Sequence, residues 1–194
     1  MKLWGGRFSK ETAKDFEKFS SSIGIDAKMW ATDIQTSIAH ARMLAAQKII
    51  PAADGEKIIK GLHRIHEEIS TGQWSFNPEA EDIHGEIEKR LCELVGESGK
   101  KVHTARSRND QVATDTRLYL SGKVRVLLGI LEGVQRELLK QAEAHKQTLM
   151  PGMTHLQHAQ PISLAQHLLA YYWMFERDRE RLEESLPRIL TMPL

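Results

Sequence analysis

The chain has one cysteine, Cys92, among its 194 residues. An internal disulfide framework is therefore excluded, and a reducing compartment, the cytoplasm, is expected. Set among Leu91, Leu94 and Val95, Cys92 reads as a small apolar packing residue rather than a nucleophile. No uncharged apolar run approaches the roughly 20 residues that span a bilayer, and the opening Met1-Lys2-Leu3-Trp4-Gly5-Gly6-Arg7 lacks the apolar centre of a signal peptide. No membrane association is expected. Charge of one sign is lacking too: 27 Lys and Arg against 26 Asp and Glu leave a formal +1, with no basic block to hold nucleic acid. There is no glycine-rich phosphate loop, so no nucleotide cofactor is indicated. Without a Gly-x-Ser-x-Gly elbow, or a base near Cys92, covalent catalysis has no support. The pairs His63/His66 and His155/His158 stand three apart. No Cys-x-x-Cys, His-Glu-x-x-His or paired-Asp motif joins them, and no metal is expected.

Strand signals are equally scarce, with no period-two run of β-branched residues and no Asn-Gly or Asp-Gly hairpin turn. What recurs is helical spacing. Asp26 can cap a helix carrying Trp30, Ile34, Ala41 and Leu44, which Pro51 ends. Asp54 can cap a second, striped by Ile58, Leu62, Ile65 and Ile69 and closed by Gly72. Asn77-Pro78 reads as the start of a third, with Glu79 and Glu81 at its positive end and Ile83, Ile87, Leu91 and Leu94 as its stripe; Gly96 and Gly99 end it. From Asp110, apolar positions from Ala113 through Thr116, Leu120, Val124, Leu127, Leu131 and Val134 to Leu138 step by threes and fours. They predict one helix of roughly 35 residues, on the order of 50 Å. A polar loop follows Met150-Pro151-Gly152, and Pro161 opens another long helix bearing Leu164, Leu168, Tyr172, Phe175, Leu182 and Leu186, interrupted near its end by Pro187. The expected fold is all-α. Residues 1–109 form a small N-terminal helical domain, and 110–194 begin a central long-helix bundle whose remaining rods come from other chains or further sequence.

Two polar islands interrupt these helices. His103-Thr104-Ala105-Arg106-Ser107-Arg108-Asn109-Asp110-Gln111 sets two arginines and several hydrogen-bonding side chains at the mouth of the long helix. There the first-turn N–H groups and the dipole favour an anion. A solvated helix cap is the plainer reading. The second island, Pro151 to Pro161, holds His155 and His158, and an imidazole can move protons either way near neutrality. Thr154 and Gln157 could orient it or a substrate; a capped helix–helix turn is again the plainer reading.

Together the islands resemble the two signature regions found in argininosuccinate lyases of the fumarase/aspartase superfamily. The resemblance runs the length of the chain, through Leu3-Trp4-Gly5-Gly6-Arg7-Phe8, Phe19-Ser20-Ser21-Ser22-Ile23 and Glu81-Asp82-Ile83-His84. It implies the cofactor-free anti elimination of fumarate from argininosuccinate, leaving arginine. It also implies a homotetramer whose sites are shared between subunits. Carried over by that resemblance, His155 belongs to the acid–base machinery, Ser22, Asn109 and Thr154 contact substrate, and Ser107 and Arg108 hold developing negative charge. His84 and Gln157 line the pocket, and Arg106 is structural. Met153 and His158 depart from the family pattern, which touches loop packing only. A third signature, carrying a catalytic serine and a substrate-binding lysine, lies beyond residue 194, so the chain alone is expected to be inactive. Two alternatives stand: a non-catalytic helical assembly protein of the same fold, like the lens crystallins, and a sibling fumarate-releasing lyase. A roughly 50 Å rod between the islands implies that neighbouring antiparallel chains bring Arg108 and Asn109 of one to His155 of another.

Overall fold

The computed structural model describes residues 13–193, so the expected motif at Leu3–Phe8 lies outside the described residues. The chain divides into two compact units, one running to Thr116 and the other from Arg117 to Met192.

The first unit opens with two short helices, α1 (Lys14–Ser20) and α2 (Ile23–Asp26), then a 3-10 turn over Ala27–Met29. Its body is α3 (Trp30–Ala46), α4 (Ala52–Ser70) and α5 (Ile83–Val95), followed by a 3-10 segment, Gly96–His103. One apolar core joins them: Ile34, Ile38, Ala41 and Leu44 from α3, Ile58, Leu62 and Ile65 from α4, Ile83, Ile87 and Leu91 from α5, and Val102. The expected stripes are the ones buried. The expected ends also hold, with Gly72 and Gly96 at positive φ of 72° and 65°, where L side chains are strained.

The helix starts differ from expectation. Asp26 caps nothing in α3; its carboxylate accepts from Ser22 Oγ at 2.5 Å and from the Ile83 amide of α5 at 3.2 Å. Pro51 occupies the cap of α4, and Asp54, inside the first turn, accepts from Ser98 Oγ at 2.7 Å and pairs with Lys101. Asn77-Pro78 opens no helix, because the Asn77 side chain accepts from the Glu79 amide at 3.0 Å in a local turn. The cap of α5 is Asp82, which accepts from the Gly85 amide at 2.6 Å.

The long helix α6 (Arg108–Ala144) has 37 residues, about 55 Å at 1.5 Å per residue. In the second unit it is followed by α7 (Leu164–Ile189), which continues through Pro187. Gln135 Nε2 of α6 donates to Glu176 of α7 at 2.8 Å, and Arg117 donates to the Arg188 carbonyl at 2.9 Å, so the rods run antiparallel. The apolar stripe of α6 is only partly used: Val124 is buried, while Leu120, Leu127 and Val134 are exposed.

Between the rods the expected polar loop is instead an antiparallel hairpin, β1 (Leu149–Thr154) and β2 (Gln157–Ser163). Pro161 therefore lies in a strand, opposite Pro151, and Ser163 caps α7 through the Gln166 amide at 3.1 Å. Prolines, an irregularity between Pro151 and Met153, and the exposure of most of the hairpin's residues removed the alternation that marks a strand.

Where α3 and α4 meet, a Cβ on Gly55 would lie 2.7 Å from the Ala45 methyl and 3.6 Å from the Ala41 carbonyl oxygen. Neither neighbour can rotate away. Gly55→Ala gains about 1 kcal/mol of helix propensity but forces the helices apart, at a typical overpacking cost of about 1–3 kcal/mol. We expect a net loss, read as a lower Tm by circular dichroism; an unchanged or raised Tm would show that the contact yields freely.

Candidate active site

In the first unit, Ser107 and Asp110 form a reciprocal cap that starts α6. The Asn109 amide donates to Ser107 Oγ at 3.2 Å, and the Ser107 amide to Asp110 Oδ2 at 2.8 Å. Ala105, at φ 56°, turns the chain into this cap. Ser107 and Asn109 are exposed at the helix mouth, whereas Arg108 folds back and is half-buried. Its Nη1 donates to Gln111 Oε1 at 2.7 Å, with looser ion pairs to Asp82 at 3.4 Å and Glu88 at 3.6 Å. Ser22, half-buried, is bound to Asp26 as described, and burial pushes the Asp26 carboxyl above its usual range.

His84 is buried, at 2% exposure. Its Nδ1 lies 2.8 Å from Asp33 Oδ1 and 3.4 Å from Asp115 Oδ2. Asp115 Oδ1 accepts from Thr36 Oγ1 at 2.5 Å, and Gln111 Nε2 donates to Asp33 Oδ1 at 2.5 Å. Burial alone would raise both acids, but the hydrogen bond and charge of His84 hold Asp33 ionised below its usual range. Asp115 takes the consequence: burial and the Asp33 charge raise it to about 7. Burial works against the His84 cation, yet its acidic neighbours outweigh it and raise the imidazole. Arg106 supplies a counter-charge nearby, with Nη2 donating to Ser37 Oγ at 3.2 Å. Sequence reading did not single out Asp33, Thr36, Gln111 or Asp115 as a group. A signal existed in Asp33 and Ser37, which fall four apart on the core-facing arc of α3 between Trp30 and Leu44.

Asp33, His84 and Asp115 each offer a ligand atom, all within 4.8 Å of one another. The imidazole nitrogen already sits against both carboxylates, an arrangement that holds a proton where a cation would otherwise lie.

In the second unit Thr154, His155 and Gln157 are exposed at the hairpin tip. Thr154 pairs with Gln157 across a two-residue turn whose central residues, His155 and Leu156, both take positive φ, 48° and 60°. That is the twist-matched turn of two-residue hairpins, usually built from Asn and Gly. Held by His and Leu, it costs of order 1–3 kcal/mol per residue, a strain that concentrates at functional sites. The expected site residues thus fall in both units: Ser22, His84, Ser107, Arg108 and Asn109 in the first, and Thr154, His155 and Gln157 in the second.

A family model described as "Lyase" matches residues 6–194. The argininosuccinate lyase of Moorella thermoacetica is 55% identical over 194 residues, covering 100% of this chain and 42% of that protein. That of Oleidesulfovibrio alaskensis is 52% identical over 193 residues, with the same coverage. The chain therefore spans about two fifths of the length of these relatives. Among solved structures, a fumarate lyase:delta crystallin from Brucella melitensis superposes with a TM-score of 0.76 at 19% identity, covering 94% of this chain and 48% of that one. An EDDS lyase in complex with formate gives 0.75 at 24%, covering 93% and 35%. These structures share the predominantly helical fold.

The Asp115 carboxyl keeps its proton to about 7 when folded, against an ordinary 3.8. Between those values the folded chain binds the extra proton, so this group's stabilisation is full below about pH 4 and is lost as pH rises through 7. Asp115→Asn removes the titration. We expect the Tm of the variant relative to wild type to rise by several degrees from pH 4 to pH 8; a constant difference would show that Asp115 is ionised throughout.

Proposed function

The chain belongs to the lyase family, and from that premise we propose that it supplies part of the site of an argininosuccinate lyase, which releases fumarate and leaves arginine. The similarity to argininosuccinate lyases over the whole chain carries this reading. The residue types at the two islands suit the chemistry. A base takes the proton from the carbon beside a substrate carboxylate, which becomes an aci-carboxylate with added negative charge. Ser107, Arg108 and Asn109, gathered at the mouth of α6, would stabilise that charge more than the ground state. The C–N bond then breaks as the C=C bond of fumarate forms, and an acid protonates the departing guanidino nitrogen.

His155 is our candidate for the acid–base machinery, with Thr154 and Gln157 beside it on the hairpin and Ser22 and Asn109 contacting substrate. His84 is too deeply buried in this chain to touch substrate directly and would act through its neighbours. No cofactor is needed for the elimination. The exposed apolar residues of the rods, including Val126, Leu127 and Ile130 on α6 and Trp173 and Met174 on α7, suit burial against further helices. We take the assembly that covers them to be a homotetramer in which one subunit's Arg108 and Asn109 meet another's His155. No described helix is long and apolar enough to cross a membrane, and we place the enzyme in the cytoplasm.

Given argininosuccinate, the full-length protein bearing this chain should release fumarate, followed by its ultraviolet absorbance. His155→Asn should lower kcat/KM by about 10²–10⁴, the usual contribution of a positioned acid or base. Residues 1–194 alone should show no turnover. Absence of fumarate from the assembled wild type would overturn the reaction, and turnover by residues 1–194 alone would overturn the need for further site components.

A further inference from the structure

We propose that Gln111 and the buried Asp33–His84–Asp115 cluster form a positioning network that aims the Arg108 guanidinium at the substrate anion. The inference rests on the lyase reading above, and it assigns work to residues that reading leaves unused.

Arg108 has three partners, of which one lies at hydrogen-bonding distance. Asp82 and Glu88, at 3.4 and 3.6 Å, attract its charge without fixing its plane. The 2.7 Å bond from Nη1 to Gln111 Oε1 does fix it. That bond requires the Gln111 amide to turn its oxygen toward Arg108, and a rotated amide would oppose two sets of donors. At 3% exposure, Gln111 is closed off from bulk solvent, so its protein neighbours decide the orientation. The choice is settled on the other side: Asp33 Oδ1, 2.5 Å from Gln111 Nε2, only accepts while ionised and so demands the NH₂ group.

Asp33 in turn is kept ionised by what surrounds it. His84 Nδ1 donates to it at 2.8 Å. Asp115, held by Thr36 and raised to about 7 by burial and the Asp33 charge, carries the pair's proton and leaves the charge on Asp33. Arg106 balances the remaining charge from within the same buried region. A single ionised carboxylate thus sets the orientation of one amide, and the amide sets the orientation of one guanidinium, all within the first unit.

The test is steady-state kinetics of the full-length enzyme carrying Gln111→Asn, whose amide is conserved but too short to bridge Asp33 and Arg108. We expect kcat to fall about tenfold, the scale of a lost hydrogen bond to a charged group, with KM for argininosuccinate changed less than threefold, because Arg108 acts on charge that develops in the transition state. Arg108→Lys combined with Gln111→Asn should be no worse than Arg108→Lys alone, since Gln111 acts only through Arg108. Unchanged kcat, or additive losses in the double variant, would overturn the proposal. If Gln111→Asn does not fold, Gln111→Met, apolar and of similar length, should give the same kcat effect and the same non-additivity. Crystal structures of wild type and variant give a readout independent of turnover: the Arg108 guanidinium should leave its wild-type position, and its staying in place would overturn the network. A wild type that releases no fumarate would instead defeat the lyase reading, leaving the network to be judged by those structures.

Discussion

One ionised carboxylate in the helical core, that of Asp33 on α3, ties the start of α6 to α3 and α5. A buried charge is tolerated only when paired and fully hydrogen-bonded, and removing one partner of such a pair typically costs about 3–5 kcal/mol. The partners of Asp33 come from two other helices, His84 on α5 and Gln111 and Asp115 on α6. The apolar core fastens α3, α4 and α5 to one another but includes no residue of α6. Within the first turns of α6, the buried side chains are Gln111 and Asp115, both polar, while Val112 is 37% exposed. The start of the long helix is therefore seated by polar contacts. Hydrophobic surface tolerates sliding, whereas a hydrogen-bonded charge accepts one register, so the polar seat specifies how Ser107, Arg108 and Asn109 are presented.

That arrangement explains which parts of the structure were legible beforehand. The stripes Ile34–Leu44, Ile58–Ile65 and Ile83–Leu91 follow from a period of 3.6, and burial of one face is what stabilises such helices. Gly72 and Gly96 follow from the cost of positive φ. Helix starts are less determined, because Asp26, Asp54 and Asn77 each have a capping side chain but found a tertiary or local partner that competes better. Which partner wins depends on contacts dozens of residues away, and no local pattern encodes that. The polar cluster was hidden for the same reason: Asp33, His84 and Asp115 are each ordinary within their own helices and become unusual only when three helices meet.

The hairpin was illegible for a different reason. Its strands carry prolines at the facing positions Pro151 and Pro161; β2 is exposed on both sides over most of its length, and the one buried residue of β1 is Gly152, which has no side chain to mark a face. Period-two alternation in a sequence records apolar side chains along one buried face, and neither strand carries such a row. The turn also lacks the residues that advertise it, since His155 and Leu156 stand where Asn and Gly would be easiest. What drew attention to these positions was the chemistry of a histidine beside a threonine. The backbone then supplied the second, independent mark, two consecutive non-glycine residues at positive φ.

The two groups of candidate residues are held by opposite means, and the difference follows from what each would do. An anion-holding guanidinium is effective only if its direction is set before charge develops, since reorganisation during the reaction would return the advantage. Arg108 meets that condition through a rigid helix, a buried amide and an ionised carboxylate behind it. An acid–base imidazole must instead exchange its proton with something beyond the protein in each cycle, which burial would obstruct. His155 is exposed, and its direction comes from backbone torsion at a two-residue turn rather than from packing. Leu156 beside it is fully exposed at the tip, an apolar side chain in a strained conformation that within this unit gains nothing from burial.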